Sequence, residues 1–247
     1  LKVNLDSITN IMFVDDEITT GKTVLNAITA INQTYHKKFH YAVTSVINSM
    51  TKKQREEYRE QNIEVYCLEQ VPEQNYEKEA NAFMLNGVSQ KIPYGYWKCV
   101  KTIDVPKLPD CRRIIHGNYE KELEERLKPI LSNLGICGNV LVLGVEEFMY
   151  PGLWFAKQLE DKGCSVHFHA TTRSPIAVSE EKDYPLHCRF CMSSVNAPDR
   201  KTYLYNVTAY DHVFVFVEKN YATQVGMDEL KEVLTACGNH KIQFIAI

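Results

Sequence analysis

Short apolar runs alternate with segments of helical periodicity along most of this chain, and no other feature constrains its fold as strongly. In the first stretch, apolar runs at 10–14, 41–47 and 63–68 flank helical patterns at 23–33 and 51–60. Strands that alternate with helices form parallel β-α units. We therefore predict an α/β fold with a parallel sheet in this part of the chain.

A second stretch repeats the pattern after a segment that is interrupted by prolines. It opens with a strong helical pattern at 120–134. Further strands are predicted at 139–143, 164–170, 213–217 and 241–247, helices at 151–162 and 227–236, and an irregular stretch at 173–200. We place the junction near residues 93–112 and predict two domains, 1–100 and 101–247.

Composition narrows the classes of function. The chain has 28 basic and 31 acidic side chains and a net charge of −3, so it has no general attraction to nucleic acid or anionic lipid. No apolar run approaches the roughly 20 residues that span a bilayer, and no basic and apolar leader opens the sequence. The eight cysteines are too dispersed for a disulfide framework. We expect a cytoplasmic protein with no nucleic-acid or membrane partner.

The sharpest chemical signal lies in residues 11–23, where an apolar strand leads to the acid pair Asp15 and Asp16, then to a short loop and a helix. In a parallel sheet, ligands bind beyond the carboxyl ends of the strands. The loop and first helical turn offer free N–H groups, hydroxyls and a positive dipole end, which suit a phosphate. The acids suit sugar hydroxyls, a metal or a developing positive charge. Together these groups predict a site for a ribose 5-phosphate.

This motif resembles the PRPP-binding signature of the type I phosphoribosyltransferases, and it implies an orotate phosphoribosyltransferase-like sheet. The resemblance implies that Asp15 and Asp16 hold the ribose hydroxyls and serve catalysis. The residues that it assigns to the 5-phosphate are Thr19, Thr20, Gly21, Lys22 and Thr23. Transfer from PRPP passes through a cationic sugar, which carboxylates and Mg²⁺ on the diphosphate stabilise. The implied activity is Mg²⁺-dependent transfer between PRPP and a base-like acceptor, with no metal site built from protein ligands alone.

Three other interpretations fit parts of the motif. The acids resemble the pocket of a receiver domain, but no aspartate between Asp16 and Asp104 is there to accept a phosphoryl group. Residues 21–23 resemble the end of a Walker A loop, but the glycine required five residues earlier is Asp16. The third interpretation is a strand that runs into a Thr-capped helix and binds no ligand.

One departure from the phosphoribosyltransferase pattern affects the predicted activity. The family places strands and a diphosphate-binding loop before this motif, whereas only ten residues precede Ile11 here, and the first residue is Leu1. We expect the N-terminal part of the domain to come from a longer polypeptide or from another chain, such as a second copy in a homo-oligomer. The alternative function is a non-catalytic module that binds a nucleotide or sugar phosphate.

The second stretch repeats the arrangement of a strand followed by acids. Acidic residues follow the apolar run 139–143, and hydroxyls with one arginine follow the run 164–170. Acids suit hydroxyls or a metal, and an arginine suits an anion, so we expect a phosphorylated, hydroxylated ligand. The residues predicted at this second site are Glu146, Glu147, Tyr150, Thr171, Thr172, Arg173 and Ser174.

The same segments, Glu146 to Pro151 and Thr172 to Pro175, resemble the hallmarks of the TRSP domain. That domain is found C-terminal to an orotate phosphoribosyltransferase-like domain in bacterial gene clusters associated with tellurite resistance and stress. The resemblance implies a Rossmann-like second domain and a role in making a nucleoside-like metabolite. It does not define the acceptor.

Three further groups of residues, namely a cysteine pair, a basic cluster and an aromatic cluster, are weaker indications of a site. Cys188 and Cys191 have the spacing of half a zinc site, and we interpret them as ordinary thiols in a loop because no second such pair occurs. We interpret the basic cluster at 112–117 as solvated linker charges rather than a phosphate site. The aromatic cluster at 94–97 is interpreted as packing at the junction rather than a platform for a base.

Overall fold

The computed structural model of the protein describes residues 5, 7–71, 81–91, 100–106, 118–136 and 138–247. The chain forms two compact units, Leu1–Asn81 and Ala82–Ile247. Each unit has a parallel sheet and its own hydrophobic core, which confirms the predicted α/β class. Every helix in the described residues is too short or too polar to cross a lipid bilayer.

The first unit is a three-stranded parallel sheet in the order β1-β2-β3, with a helix after each of the first two strands. Its elements are β1 (Asn10–Ile18), α1 (Lys22–Thr34), β2 (His40–Asn48), α2 (Lys52–Glu60) and β3 (Ile63–Gln70). Strand β1 continues to Ile18 rather than ending at the predicted Val14. Helix α2 begins where the side chains of Thr51 and Gln54 form a reciprocal capping box.

Both helices of the first unit cover the same face of its sheet, as right-handed crossovers in one direction require. The core on that face includes Val24 and Ile28 of α1, Tyr58 of α2 and Val43 of β2. The other face carries apolar side chains that are more than half exposed, namely Met12, Val14, Val46, Tyr66 and Leu68. Within the described residues, this unit therefore packs only one face of its sheet.

The second unit contains a five-stranded parallel sheet in the order β5-β11-β10-β6-β7 and a smaller sheet in the order β4-β8-β9. Its elements are β4 (Val88–Lys91), β5 (Thr102–Asp104), α3 (Tyr119–Asn133), β6 (Asn139–Gly144), α4 (Tyr150–Asp161), β7 (Ser165–Ala170), β8 (Cys188–Ser193), β9 (Lys201–Tyr205), β10 (His212–Val217), α5 (Gln224–Ala236) and β11 (Ile242–Ala246).

The central strands of the larger sheet are buried on both faces, which explains their continuous apolar sequences. Helices α3 and α4 pack on one face, where Phe155 of α4 lies against Phe214 and Phe216 of β10. Helix α5 and the smaller sheet pack on the other face. The core on that side includes Leu143 of β6 and Leu204 of β9. The unit therefore has three layers.

The smaller sheet differs most from the sequence expectation. Strand β8 lies inside the stretch 173–200 that was predicted to be irregular, and it pairs with β4 in parallel and with β9 in antiparallel orientation. Because β4 pairs with β8, residues 88–91 belong to the second unit. The two units divide after Asn81, whereas the sequence analysis put the domain boundary after residue 100.

Some sequence-based interpretations concern residues that the structure does not describe. The basic cluster at 112–117 and the aromatic cluster at 94–97 both lie outside the described residues. The same is true of most of the predicted junction at 93–112, of which residues 100–106 are described.

Candidate functional site

The acid pair of the first unit lies inside β1, close to its carboxyl end, rather than after the strand. Asp15 and Asp16 are both exposed, and each Oδ1 accepts a hydrogen bond from the next backbone N–H, at 3.0 and 2.8 Å. Successive side chains of a strand point to opposite faces. Asp15 therefore lies on the face that the helices cover, and Asp16 lies on the other face.

The loop after β1 is shaped around one glycine. Gly21 lies at the N-cap of α1. Its φ of 72° is in the left-handed region, which favours glycine. A Cβ at this position would lie 2.4 Å from the hydroxyl of Tyr58. The Tyr58 hydroxyl donates a hydrogen bond of 2.6 Å to the carbonyl of Gly21, so the side chain both requires the glycine and fixes the turn.

The N-terminus of α1 is open to a ligand. This helix of 13 residues has no side-chain cap and no acid in its first turn. The N–H of Lys22 is 3.5 Å from the hydroxyl of Thr20, a long contact. The predicted phosphate-binding side chains that are exposed around this end are Thr19, Thr20, Lys22 and Thr23. Free N–H groups, hydroxyls and a positive dipole end are thus gathered at one place, which suits an anion.

Two residues at this site were missed by the sequence analysis. Tyr58 is 37 residues from Gly21 in sequence and belongs to a helix whose charged pattern predicted a solvated face. Ser45 is aligned with Asp15 on the neighbouring strand β2 and is 5% exposed. Its hydroxyl is buried and has no hydrogen-bond partner among the described residues. No local sequence pattern indicates either contact.

The second unit places its predicted residues at a topological switch point. From β6, the chain passes through α4 to β7 on one side, while β10 and β11, joined by α5, lie on the other side. All these strands are parallel, so their carboxyl ends share one edge of the sheet. Ligands of doubly wound sheets bind in the crevice at this position.

Glu146 is the centre of a polar cluster at that crevice. It has φ 52°, and its N–H donates to the hydroxyl of Thr171 at 3.0 Å. Its carboxylate accepts a short hydrogen bond from the hydroxyl of Ser194 and lies 3.9 Å from Nε of Arg173. The side chain of Glu146 is 12% exposed, whereas that of Arg173 is 53% exposed. The cluster therefore presents a guanidinium to solvent with a carboxylate behind it.

The loop that carries Arg173 is held by backbone and side-chain hydrogen bonds from the smaller sheet. Thr172 exchanges two backbone hydrogen bonds with Tyr203. The hydroxyl of Tyr205 donates to the carbonyl of Ser174 at 2.7 Å, and Arg189 donates to the carbonyl of Ile176 at 2.8 Å. These contacts fix the loop at several points along its backbone.

The structure gathers some of the predicted residues of the second site and not others. Glu146, Thr171 and Arg173 are in contact as expected. The side chain of the exposed Glu147 forms no hydrogen bond or ion pair with these residues, and Tyr150 begins α4 with its ring 5.9 Å from that of Tyr119.

Two further residues of this cluster lie in segments where no sequence motif indicates a site. Ser194 directly follows β8, and its hydroxyl donates a hydrogen bond to the carboxylate of Glu146. The buried carboxylate of Glu229 on α5 accepts hydrogen bonds from the N–H and hydroxyl of Ser193, at 2.6 and 3.0 Å. Glu229 thereby fixes the turn that supplies Ser194.

Metal ligation by protein side chains alone has no support in the described part of the chain. No group of three or more His, Cys, Asp or Glu residues there is arranged to hold a metal ion. Cys188 and Cys191 lie in strand β8 rather than in the predicted loop.

Family comparisons agree with the two units. Residues 2–71 match the family model described as phosphoribosyl transferase, and residues 115–234 match the model described as the TRSP domain C-terminal to PRTase_2. Neither a curated protein nor a solved structure is significantly similar to the chain. The chain therefore carries a phosphoribosyl transferase family domain followed by a TRSP domain, the order that the two sequence motifs predicted.

Proposed function

We propose that the first unit binds PRPP and serves phosphoribosyl transfer to a base-like acceptor, in the synthesis of a nucleoside-type metabolite. The observation that carries the proposal is the uncapped N-terminus of α1, surrounded by exposed hydroxyls and lying directly after an acid-bearing strand. Phosphate and sugar hydroxyls are the two parts of a ribose 5-phosphate. The match to the phosphoribosyl transferase family supports the same chemistry.

In this proposal the loop 19–23 holds the 5-phosphate through N–H groups, hydroxyls and the ammonium of Lys22. Asp15 and Asp16, on opposite faces of β1 near its carboxyl end, accept hydrogen bonds from the ribose hydroxyls. Their charges stabilise the positive charge that develops on the sugar as the bond to the diphosphate breaks.

Magnesium fits this arrangement as an ion that the substrate carries. Mg²⁺ is commonly held by one or two carboxylates together with substrate phosphates. Each aspartate has one carboxylate oxygen engaged by a backbone N–H, and its other oxygen has no hydrogen-bond partner among the described residues. Asp15 or Asp16 would supply that carboxylate, and the ion would neutralise charge on the departing diphosphate.

Turnover of PRPP tests this proposal. The double variant Asp15→Asn, Asp16→Asn should lose PRPP-dependent release of diphosphate with a panel of bases, while its thermal unfolding stays unchanged. The matched control Glu56→Gln, Glu60→Gln removes two carboxylates from the exposed side of α2. Equal turnover in the wild type and the Asp15, Asp16 variant would remove these residues from the mechanism.

We further propose that the second unit binds an anionic, hydroxylated ligand at the crevice beside Glu146. The left-handed backbone of Glu146 supports this, because strained residues of this kind cluster at functional sites. Arg173 would bind the anion, and the carboxylate of Glu146 would orient it. Arg173→Ala should weaken binding of ribose 5-phosphate to residues 82–247, whereas Lys128→Ala, which removes an exposed cation from α3, should not.

A further inference from the structure

A second cleft lies in the first unit, apart from the loop 19–23. It has a volume of about 1320 Å³ and runs beside β3, bounded by α1, by α2 and by the segment that joins α1 to β2. None of residues 15–23 lines it. The proposed PRPP site does not explain this cleft.

The charge of the cleft is opposite to that of the whole chain. Among the described residues, its lining includes Lys37, Lys38, Arg55 and Arg59 but a single carboxylate, Glu64. The formal charge of the lining is therefore +3 with histidines neutral, whereas the chain carries −3. The Glu64 carboxylate is already engaged by the hydroxyl of Tyr66. The local field therefore favours an anion.

The two arginines share one face of α2. Arg55 and Arg59 are one turn apart, and like charges at that spacing repel each other. Neither forms an ion pair with a described residue, although Lys52 pairs with Glu56 on the same helix. The acids of α2 do not line the cleft. Arg55 donates to the carbonyl of Met50 at 3.0 Å, a contact that does not neutralise its charge. Both arginines therefore bring positive charge to the cleft that no acid of α2 neutralises there.

The inner wall of the cleft is aromatic and apolar. Tyr35, Phe39 and Tyr41 line it together with Ile63 and Val65 of β3. Tyr41 is 8% exposed, and its hydroxyl donates to Asn32 at 2.7 Å, which fixes the ring. A ring-lined wall beneath several cations suits a flat ligand that carries negative charge.

We propose that this basic cleft is a second binding site, specific for a nucleotide. The aromatic wall would pack against the base, and Lys38, Arg55 and Arg59 would bind the phosphates. Guanidinium groups form charge-assisted, bidentate hydrogen bonds with phosphate oxygens. This site is separate from the proposed PRPP site and does not depend on it.

Calorimetric titration of the full chain with ATP, used as a probe nucleotide, tests the proposal. Lys38→Gln, Arg59→Gln should weaken ATP binding by at least about tenfold, the loss expected when charge-assisted contacts are removed. The control Lys52→Gln, Lys53→Gln removes the same charge from α2 outside the cleft and should leave the affinity within about twofold. Thermal unfolding of both variants reports whether they remain folded.

The loop variant Thr20→Val, Lys22→Gln separates the two sites. If both proposals hold, this variant should lose PRPP binding and retain ATP binding. If only the PRPP proposal fails, it should still retain ATP binding. No ATP binding by the wild type, or an equal loss in the cleft and control variants, would overturn the nucleotide site. Loss of ATP binding in the loop variant but not in the cleft variant would also overturn it. Binding of a single-stranded oligonucleotide without any binding of ATP would do the same.

Discussion

At the scale of single residues, the proposed phosphate site depends on a contact between Gly21 and Tyr58. The glycine provides a left-handed turn, and the buried phenol donates to its carbonyl. Burial raises the pKa of Tyr58, which keeps the hydroxyl protonated and able to donate. The loop is therefore positioned by α2 as well as by the helix that it precedes.

Gly21→Ala should disrupt this turn. The substitution adds a Cβ 2.4 Å from the Tyr58 hydroxyl and places alanine at φ 72°. We expect a loss of about 1–3 kcal/mol in the free energy of unfolding and a loss of phosphate binding, measured by urea unfolding and calorimetry. Wild-type stability and affinity in this variant would show that the turn is not constrained as described.

Tyr58→Phe should have a milder effect on the same loop. It removes one hydrogen bond, while the N–H of Leu25 still donates to the carbonyl of Gly21. We expect a loss of about 1 kcal/mol in the free energy of unfolding and weaker binding of ribose 5-phosphate. The control Tyr66→Phe removes the hydrogen bond to Glu64 from a tyrosine that is 52% exposed. It should cost no more than about 0.5 kcal/mol and leave the binding of ribose 5-phosphate unchanged. Equal effects of the two substitutions would contradict the role assigned to Tyr58.

At the scale of elements, the sequence predicted the helices and all but one strand of the main sheets. It missed the short edge strand β5 and the smaller sheet. Buried strands such as β6 and β10 carry unbroken apolar sequences, so their local pattern was sufficient. Strand β8 has the sequence CRFCMS, in which polar and apolar residues mix without a clear period. Its pairing with β4, about 100 residues away, depends on a contact that no local pattern contains.

Helix α3 contains an element-scale weakness. Pro129 lies within the helix and is exposed, while Leu123, Leu127 and Leu131 face the core. A proline in a helix interior removes a backbone hydrogen bond and clashes with the preceding turn. Pro129→Ala should therefore raise the free energy of unfolding by about 1–3 kcal/mol, measured with urea. The exposed Ser132→Ala should change it by no more than about 0.5 kcal/mol. No gain from Pro129→Ala would indicate that the helix already accommodates the ring.

Strand β10 should make the second unit sensitive to acid. Burial, and then the charge of Lys241, lower the pKa of His212 from its ordinary value of 6.5. At any pH between this lowered pKa and 6.5, the unfolded chain binds more protons than the folded chain. The free energy of unfolding is therefore highest above pH 6.5 and falls as the pH drops from 6.5 toward the lowered pKa. The fall in unfolding free energy between about pH 7.5 and about pH 5 should be smaller in His212→Gln. An equal fall would exclude His212 as its source.

At the scale of the whole molecule, the order of the two domains and the fold class could be predicted because they depend on local periodicity and two sequence motifs. The composition of each site could be predicted only in part. Asp15 and the loop 19–23 are contiguous, whereas the contact between Ser194 and Glu146 spans 48 residues. Such contacts depend on which strands pair, and single-sequence patterns do not encode that directly.

The second unit should fold alone. Two of the three hydrophobic clusters formed by the described residues lie wholly within residues 82–247, on the two faces of the larger sheet. A fragment of these residues should therefore show a cooperative thermal transition in calorimetry, with native-like circular dichroism. A non-cooperative transition would show that this unit requires the rest of the chain.

The central claim is that the loop 19–23 binds a phosphate while Asp15 and Asp16 bind the attached ribose. Calorimetric titration with ribose 5-phosphate and with inorganic phosphate tests it most directly. We predict that Asp15→Asn, Asp16→Asn weakens ribose 5-phosphate binding but not phosphate binding, and that Thr20→Val, Lys22→Gln weakens both. If neither pair of substitutions changes the affinity for ribose 5-phosphate, this part of the protein is not a pentose phosphate site.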